Sequence, residues 1–391
     1  MNILLITYGW DPRQADDGGQ QRTHLLWKAL GNIGNVYTLI ISDAEMGDAV
    51  NIKCFNPYVE DKPYSCGKNI LHRLKSFVGY VLFWKTGLSF CSYTERAEIA
   101  DIFPGVHFDS IVCRYFKVLL YVNVYRIAPV YVDIDDYPLT LFDTLLCRQR
   151  KLSRIGCCFW RNILKLELFW HSRHWIGAWV ADKSDIGKVG TKNNTILLSN
   201  IPYNIYSNID HSSQRTMLFM IGGAYHTPNV IGVTYFLSHI WPAVHERFPQ
   251  LKFLLVGRGW EKIFAERLQD VPNVEYVGFV EDLAMLYSRC LATVVPVNSG
   301  AGTCIKTLES LANKRVCIST PFGARGLPGD KEALARNGVM IYNNAEEFVA
   351  VLSKMIASPE WLAEREKAAR DFIDGNYSAA VFNAQVYNLL Q

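Results

Sequence analysis

Short apolar runs alternate with amphipathic segments along most of this chain, and this alternation restricts the possible folds more than any other feature. The runs are short and are bounded by turn-type or charged residues, which is typical of buried strands in a parallel sheet. In the first half they lie at Asn2–Thr7, Val36–Ile41, Ser110–Cys113 and Val130–Ile134. The segments between them, for example Gln20–Leu30 and Thr94–Ile102, predict helices on both faces of the sheet.

The same pattern begins again near Thr216. The predicted strands are Met217–Ile221, Lys252–Val256, Val274–Tyr276, Ala292–Pro296 and Val316–Ser319. The predicted helices are Gly232–Phe248, Glu261–Gln269, Asp282–Cys290 and Lys306–Asn313, followed by a helical tail from Pro359 that kinks at Gly375. At 391 residues the chain is too long for one ordinary core, so we expect two α/β domains. The Asn- and Ser-rich stretch Ser199–Ser213 is the predicted linker and hinge.

Composition excludes several classes of protein. Half of the residues are apolar and the net charge is only +3, which argues against a disordered chain and against a general nucleic-acid binder. The ten cysteines include no CxxC pair, so they predict reduced thiols in a cytoplasmic protein rather than a metal site. The first residues lack the pattern of a signal peptide, and no apolar run approaches the roughly 20 residues that span a bilayer.

The first strand is followed by a glycine pair that opens a helix. Gly18 and Gly19 allow backbone N–H groups to approach an anion, and the start of a helix favours negative charge. Arg22 lies just inside this helix and is placed to reach the same phosphate or an acceptor group. A GxGxxG motif is absent, which argues against a nicotinamide enzyme. The alternative is a flexible loop before an ordinary helix.

A second glycine loop follows the predicted strand Ala292–Pro296. It contains Gly300, Ala301, Gly302 and Thr303, and it leads into a helix that carries Lys306 and Glu309. Because Lys306 and Glu309 are three positions apart, they share one helix face. A cation there suits a diphosphate, and a carboxylate can accept hydrogen bonds from the hydroxyls of a ribose. The alternative is an exposed Lys–Glu pair without function.

These motifs resemble those of retaining GT-B glycosyltransferases of family four. The matching stretches are Gly302–Ala312, Val316–Leu327, Gly222–Asn229, Val256–Gly259 and the Gly-Gly-x-x-Arg loop at Gly18. The resemblance implies a GT-B fold, in which two Rossmann-like doubly wound domains face each other across a cleft. It places the acceptor-binding domain at 1–205, the nucleotide-sugar-binding domain at 206–372, and a helix crossing back to the first domain at 373–391.

The resemblance also implies roles for individual residues. Glu309 would bind the donor ribose, and Lys306 would bind the diphosphate and stabilise its charge during transfer. Gly19 would approach the phosphates, Gly300–Thr303 would contact the transferred sugar, and Arg258 would lie near the nucleotide base. The chain departs from the pattern at Ala301, where many members carry a glutamate. It also departs in the loop Gly222–Asn229, which carries His226 instead of an Arg and Lys pair.

The acceptor contacts are expected from the first domain. Asp133, Asp135 and Asp136 follow the strand Val130–Val132, which places carboxylates at the carboxyl edge of the sheet. We expect Asp133 to bind acceptor hydroxyls and Asp135 or Asp136 to assist deprotonation. An acidic helix cap is an equal alternative, and a metal site is a further one, although a GT-B site normally needs no metal. Arg114 ends the preceding strand and is predicted to bind an anionic acceptor group.

Residues 148–175 combine basic and aromatic side chains. Arg148, Arg150, Lys151 and Arg154 precede several tryptophans, and Glu167 is the only acidic residue of the segment. Such a helix is attracted to an anionic membrane surface. The alternative is an ordinary domain helix whose aromatic face belongs to the core. The first interpretation predicts peripheral contact with the inner face of the cytoplasmic membrane.

Together these features predict a metal-independent glycosyltransferase without a cofactor. It would move a sugar from a nucleoside diphosphate sugar to a glycan or lipid-linked acceptor, as in synthesis of bacterial surface polysaccharides such as lipopolysaccharide. Two alternatives stay open. One is a sugar-nucleotide epimerase of the same fold, which would need no acceptor. The other is a non-catalytic relative that binds a nucleotide sugar or glycan, an alternative suggested by Ala301.

Overall fold

The computed structural model describes residues 1–42, 47–57, 98–122, 124, 126–146, 154–189, 194–210, 215–267, 271–300 and 302–391. Its contacts divide the chain into two compact units. Unit 1 contains residues 1–135, 162–198 and 383–391, and unit 2 contains residues 136–161 and 199–382. The predicted boundaries at residues 205 and 372 stay predictions, because contacts alone do not show which segments fold independently.

Unit 1 is built on a parallel sheet in the order β3-β2-β1-β4-β5-β6-β7. The strands are β1 (Asn2–Tyr8), β2 (Asn35–Ile41), β3 (Ile52–Phe55), β4 (Ser110–Arg114), β5 (Val130–Ile134), β6 (Gly177–Val180) and β7 (Thr195–Leu197). The helices are α1 (Gly18–Gly31), α2 (Ile99–Ile102) and the part of α4 (Arg154–Ser172) from residue 162 onward, with 3₁₀ turns at Phe116–Leu120 and Lys183–Lys188. The chain's last residues pack on β6, where the Trp179 indole donates to the Gln385 carbonyl at 3.4 Å.

Unit 2 contains a second parallel sheet, in the order β10-β9-β8-β11-β12-β13. Its strands are β8 (Met217–Ile221), β9 (Lys252–Val256), β10 (Val274–Gly278), β11 (Cys290–Val295), β12 (Cys317–Ser319) and β13 (Val339–Ile341). Its helices include α3 (Pro138–Leu141) with a π-helical turn at Phe142–Leu146, α5 (Thr227–His239), α6 (Trp241–Arg247), α7 (Trp260–Arg267), α8 (Ala284–Arg289), α9 (Ile305–Ala312), α10 (Lys331–Arg336), α11 (Ala345–Ala357) and α12 (Pro359–Asn376). The last helix, α13 (Ala379–Leu390), runs from unit 2 into unit 1.

Both sheets place their first strand in the interior and add later strands on either side, which is the doubly wound arrangement. The central strands are buried along nearly their whole length, as the continuous apolar runs predicted. The prediction of two α/β Rossmann-like sheets is therefore confirmed. Four of the strands, β3, β6, β7 and β13, were not predicted from the sequence.

Two of the predicted helices are interrupted. The helix predicted at Gly232–Phe248 is instead α5 and α6, which meet at Ile240. Pro242 lies in the first turn of α6, where its missing N–H costs nothing, whereas within a longer helix it would remove a hydrogen bond. The helical tail breaks after Asn376 rather than at Gly375, which lies inside α12.

The predicted hinge is attached to unit 2 over its described part. The Tyr206 amide donates to the Asn313 side chain at 2.8 Å, and the Asp210 amide donates to the Ser288 hydroxyl at 2.9 Å. Residues 199–210 therefore form a strap on unit 2, which we call the linker strap.

The prediction of reduced thiols needs one correction, since Cys157 is disulfide-bonded.

Candidate functional site

Three loops of unit 2 meet at the carboxyl edge of its sheet, beside β8 and β11. The strand order reverses between these two strands, and ligands of open parallel sheets bind at such a point. A side chain at Gly257 would place its Cβ 2.6 Å from the Gly222 carbonyl oxygen. One at Gly222 would place its Cβ 2.8 Å from the Lys306 side chain. Glycine is therefore favoured at Gly222, where the loop after β8 approaches Lys306, and at Gly257, where the loop after β9 approaches the loop after β8.

The glycine loop after β11 has the predicted strand–loop–helix arrangement. Gly300 and Gly302 have φ angles of +128° and +65°, in the left-handed region that favours glycine. Helix α9 then begins at Ile305, one residue before Lys306. Ala301, a predicted donor contact, lies outside the described residues. The loop thus leads through glycine backbone directly into a helix start, the arrangement that suits an anion.

Three side chains that the sequence analysis did not assign to the site hold the carbonyl groups of this loop. The Thr144 hydroxyl donates to the Gly300 oxygen at 2.7 Å, and the Arg325 guanidinium donates to the Gly302 oxygen at 2.6 Å. Asn200 donates to the Thr303 oxygen at 3.4 Å. Carbonyl oxygens repel anions. Because these carbonyl oxygens accept hydrogen bonds from protein side chains, the repulsion is reduced and anion binding at this loop is favoured. Thr144 is 156 positions from Gly300, and no local pattern signals the pair.

Lys306 lies in the first turn of α9, and His226 lies near it in the loop before α5. Burial lowers the pKa of His226, the Lys306 ammonium lowers it further, and a hydrogen bond with Asn229 acts in the opposite direction. The amide of Asn229 donates to the Gly223 carbonyl at 2.8 Å and so fixes the loop after β8. With its pKa lowered, His226 adds no positive charge beside Lys306 at neutral pH.

Glu309 is buried at 5% exposure on the helix that carries Lys306. Its Oε1 accepts two hydrogen bonds from Asn204, one from the backbone amide at 3.1 Å and one from the side chain at 2.9 Å. Burial raises the pKa of Glu309, while the Asn204 bonds, Lys306 and the backbone of Tyr203 act to lower it. The carboxylate is therefore oriented by the linker strap. The sequence pattern of α9 could not show this contact.

Arg258 lies on the exposed loop after β9. Its guanidinium lies 4.4 Å from the ring centre of Phe279, and its carbonyl accepts a hydrogen bond from the Ala224 amide at 2.9 Å. The backbone contact joins the loops after β8 and β9. An exposed guanidinium stacked on a ring offers a flat surface, which is compatible with the predicted role near a nucleotide base.

In unit 1, the predicted acceptor residues form a buried ionic network. Arg22 bonds Asp133 at 2.6 and 2.9 Å and lies 3.9 Å from Asp135. Arg114 lies 3.2 Å from Asp133 and 2.9 Å from Asp135. Burial opposes both charged guanidinium groups, but the aspartates outweigh it, with a contribution from Tyr115 at Arg114. The pKa values of both arginines are consequently raised.

This network gives Arg22, Arg114 and Asp133 a structural role that the sequence did not indicate. Their exposed fractions are 1%, 0% and 0%, and Arg22 also donates to the Leu198 carbonyl at 2.9 Å. They tie α1, β4, β5 and the end of β7 together. Acceptor binding by these side chains stays a prediction. Their charges are paired with one another and with Asp135. Within the described ranges, no group of three or more His, Cys, Asp or Glu side chains is arranged to hold a metal ion.

The glycine pair opens α1 as predicted, with a packing reason that the sequence did not show. The helix begins at Gly18, and the side chain of the capping residue Asp17 accepts from the Gln20 amide at 2.9 Å. A Cβ at Gly19 would lie 2.7 Å from the Trp10 ring, so glycine is needed here whether or not a phosphate binds.

The two carboxylates predicted to assist deprotonation of the acceptor differ in exposure. Asp135 is buried, whereas Asp136 is half-buried.

The whole chain has the fold of known GT-B glycosyltransferase structures. It is similar to sucrose-phosphate synthase from Thermosynechococcus elongatus, with a TM-score of 0.64 and 15% identity over 99% of this chain and 98% of that one. Anabaena HepE in complex with UDP and glucose gives a TM-score of 0.63 with 14% identity over 100% and 99%. WaaG, a glycosyltransferase involved in lipopolysaccharide biosynthesis, gives a TM-score of 0.59 with 13% identity over 100% and 98%. At such identities the likeness establishes the fold.

Residues 215–358 match the family described as glycosyl transferases group 1. Unit 2 therefore contains a glycosyl transferases group 1 domain, and this domain includes the glycine loop, Lys306 and Glu309. No sequence of a curated protein matches the chain significantly.

Proposed function

We propose that this protein is a retaining, metal-independent glycosyltransferase that moves a sugar from a nucleoside diphosphate sugar to a hydroxyl group. The observation that carries the proposal is the site in unit 2. A lysine and a buried carboxylate share one helix face there, directly after a glycine loop at the switch point of the sheet. The group 1 domain and the UDP and glucose bound to the structurally similar HepE support a nucleotide sugar as donor.

The chemistry of transfer assigns a role to each part of this site. When the bond between the sugar and the diphosphate of the donor breaks, negative charge develops on the leaving diphosphate. Lys306 and the amides at the start of α9 stabilise that charge. Glu309 accepts hydrogen bonds from the ribose, Gly300–Thr303 contact the sugar, and Arg258 contacts the base. Asp135 of unit 1 and Asp136 of unit 2 are our candidates for accepting the proton of the acceptor hydroxyl.

The likeness to WaaG supports a glycan or lipid-linked acceptor in the synthesis of a bacterial surface polysaccharide. The protein would act in the cytoplasm or at the inner face of the cytoplasmic membrane, with no cofactor besides the donor substrate.

Calorimetric titration with UDP, GDP, ADP and TDP and with their sugar conjugates tests the donor site. One base family should bind the wild type, and Glu309→Ala should weaken that binding by about tenfold to a hundredfold, because a charge-assisted hydrogen bond contributes about 1.5–3 kcal/mol. Glu246→Ala on the exposed surface of α6 is the matched control and should bind as the wild type does. Unchanged affinity of Glu309→Ala would remove Glu309 from the site.

Product analysis with the bound nucleotide sugar then separates the proposed activity from its alternatives. Transfer to an added glycan or lipid acceptor, with the anomeric configuration of the donor retained, supports the proposal. Conversion of the donor sugar without an acceptor would indicate an epimerase. Binding without transfer or hydrolysis across a panel of acceptors would indicate a non-catalytic relative.

We also propose peripheral contact of residues 148–175 with an anionic membrane. Arg148, Arg150 and Lys151 lie outside the described residues, and no helix within the described ranges is long and apolar enough to cross a bilayer. In unit 1, the end of α4 and the loop after it expose Leu166, Phe169 and Ile176 at 57%, 53% and 48%. Lys165 and Arg173 are exposed beside them. Apolar side chains flanked by cations fit the surface of an anionic bilayer.

Sedimentation with vesicles checks the membrane contact. The triple variant Lys165→Gln, Leu166→Asn, Phe169→Ser should lose most binding to phosphatidylglycerol vesicles, because it removes apolar area and a cation that is worth about 1 kcal/mol near such a surface. The matched control is Val50→Ser, since Val50 is also an exposed apolar residue of unit 1. Equal binding of the triple variant and the wild type would contradict the proposal.

A further inference from the structure

The linker strap runs along the helix that carries the donor-site residues. Asn313, at the end of α9, donates from its side chain to the Asn204 carbonyl at 2.8 Å and accepts from the Tyr206 amide at 2.8 Å. Glu309 is one helical turn before Asn313 and also binds Asn204. Two polar side chains on one face of α9 therefore fix Asn204 from both sides.

The contact between Asn204 and Glu309 is specific in its geometry. Both donors of Asn204, the backbone amide and the side-chain amide, reach the same carboxylate oxygen, Oε1. Two donors on one oxygen hold the carboxylate in a single orientation. Since the Asn204 carbonyl is itself held by Asn313, the donors keep their place relative to α9.

We propose that Asn204 is a positioning residue for ribose recognition, because its two hydrogen bonds hold the Glu309 carboxylate in the orientation that a ribose diol requires. This inference rests on the proposed function, in which Glu309 binds the ribose. A carboxylate can accept from both hydroxyls of a diol, whereas a protonated carboxyl group loses part of that acceptor capacity.

The surroundings of Glu309 make its charge state depend on Asn204. The groups facing it are Lys306 on its own helix, Tyr206 on the linker strap and Tyr287 on α8. Burial raises the pKa of both tyrosines, so they stay neutral near pH 7. Burial also raises the pKa of Glu309, and the Asn204 hydrogen bonds oppose that rise. Loss of the Asn204 side chain should therefore raise the pKa of Glu309 further.

The experiment compares ribose with a sugar that lacks the diol. The affinities of a nucleoside diphosphate and of its 2′,3′-dideoxy analogue are measured by calorimetry between pH 5.5 and 8.5. Asn204→Ala should weaken ribonucleotide binding about tenfold at neutral pH, through loss of one charge-assisted hydrogen bond, and should barely change binding of the analogue. Because the ligand needs ionised Glu309, affinity is lost as the pH falls, and this loss should begin at higher pH in the variant.

Controls separate positioning from a loss of structure. Asn204→Asp should bind the ribonucleotide more weakly than Asn204→Ala does, because the substitution places a second carboxylate next to Glu309. Asn208→Ala, at an exposed position on the same strap, should behave as the wild type. If Glu309→Gln weakens ribonucleotide binding but Asn204→Ala does not, the inference is wrong and the proposed donor site stands. If Glu309→Gln leaves ribonucleotide binding unchanged, or if the wild type binds the ribonucleotide and its dideoxy analogue equally well, the proposed function of Glu309 itself is wrong.

Discussion

Replacing Lys306 with alanine is expected to reduce glycosyl transfer by about 100- to 1000-fold, the size of effect seen when one preorganised group that stabilises developing charge is removed. Lys306 is in the first turn of α9, and it lies against Gly222 at the switch point of the sheet. The lowered pKa of His226 keeps this neighbouring imidazole neutral near pH 7, so His226 does not supply a positive charge when Lys306 is removed. Single-turnover rates with the identified nucleotide sugar measure the loss.

A spectroscopic change should accompany the loss of activity. Lys306 lowers the pKa of His226, so Lys306→Ala should move that pKa back up, which NMR titration of the imidazole can follow. The matched control is Lys262→Ala, at an exposed position on α7, which should change neither the rate nor the titration. Full activity of Lys306→Ala would exclude Lys306 from catalysis. A loss of activity without a shift in the His226 titration would contradict the electrostatic effect of Lys306 on His226.

Removing the carboxylate of Asp133 is expected to destabilise the protein by about 3–5 kcal/mol, because it leaves two buried guanidinium groups short of a counter-charge. Arg22 and Arg114 both form ion pairs with Asp133, and all three side chains are buried. For a unit of this size the melting temperature should fall by about 10 °C. Thermal unfolding of Asp133→Ala, followed by circular dichroism, checks the result.

A graded series makes this test specific. Asp133→Asn keeps the shape and a hydrogen-bond acceptor, so its stability should lie between those of the wild type and Asp133→Ala. Lys53→Ala removes an exposed ion pair of unit 1, with Asp48 at 3.2 Å, and should cost at most about 1 kcal/mol. If Asp133→Ala is as stable as Lys53→Ala, the network is not structural. Acceptor binding would then again be its best explanation.

The sequence predicted the central strands well because their apolar runs are continuous and bounded by polar residues. Strands β5, β8 and β9 were predicted with their observed bounds. Helix ends were predicted less accurately, as in the division of Gly232–Phe248 at Ile240. The position of Pro242 marks that break, but an apolar pattern on both sides of the proline masked it.

For the candidate site, the sequence by itself determined the local geometry. A strand followed by Gly300 and Gly302 and then by a helix brings Lys306 and Glu309 to one helix face, because glycine permits the tight loop and the helical period sets the spacing. These are relations between neighbours in the chain, and chain neighbours are what a sequence pattern reports.

The tertiary structure alone decided what surrounds these groups. It placed Asn204 on Glu309, Thr144 on Gly300, and Arg22 and Arg114 on Asp133, across separations of 105, 156, 111 and 19 positions. Burial and ion pairing depend on contacts that only the packed chain creates. For that reason the sequence could suggest acceptor binding by Arg22, Arg114 and Asp133 but could not show that the two arginines pair with Asp133 and Asp135 in a buried network, where the opposite charges balance.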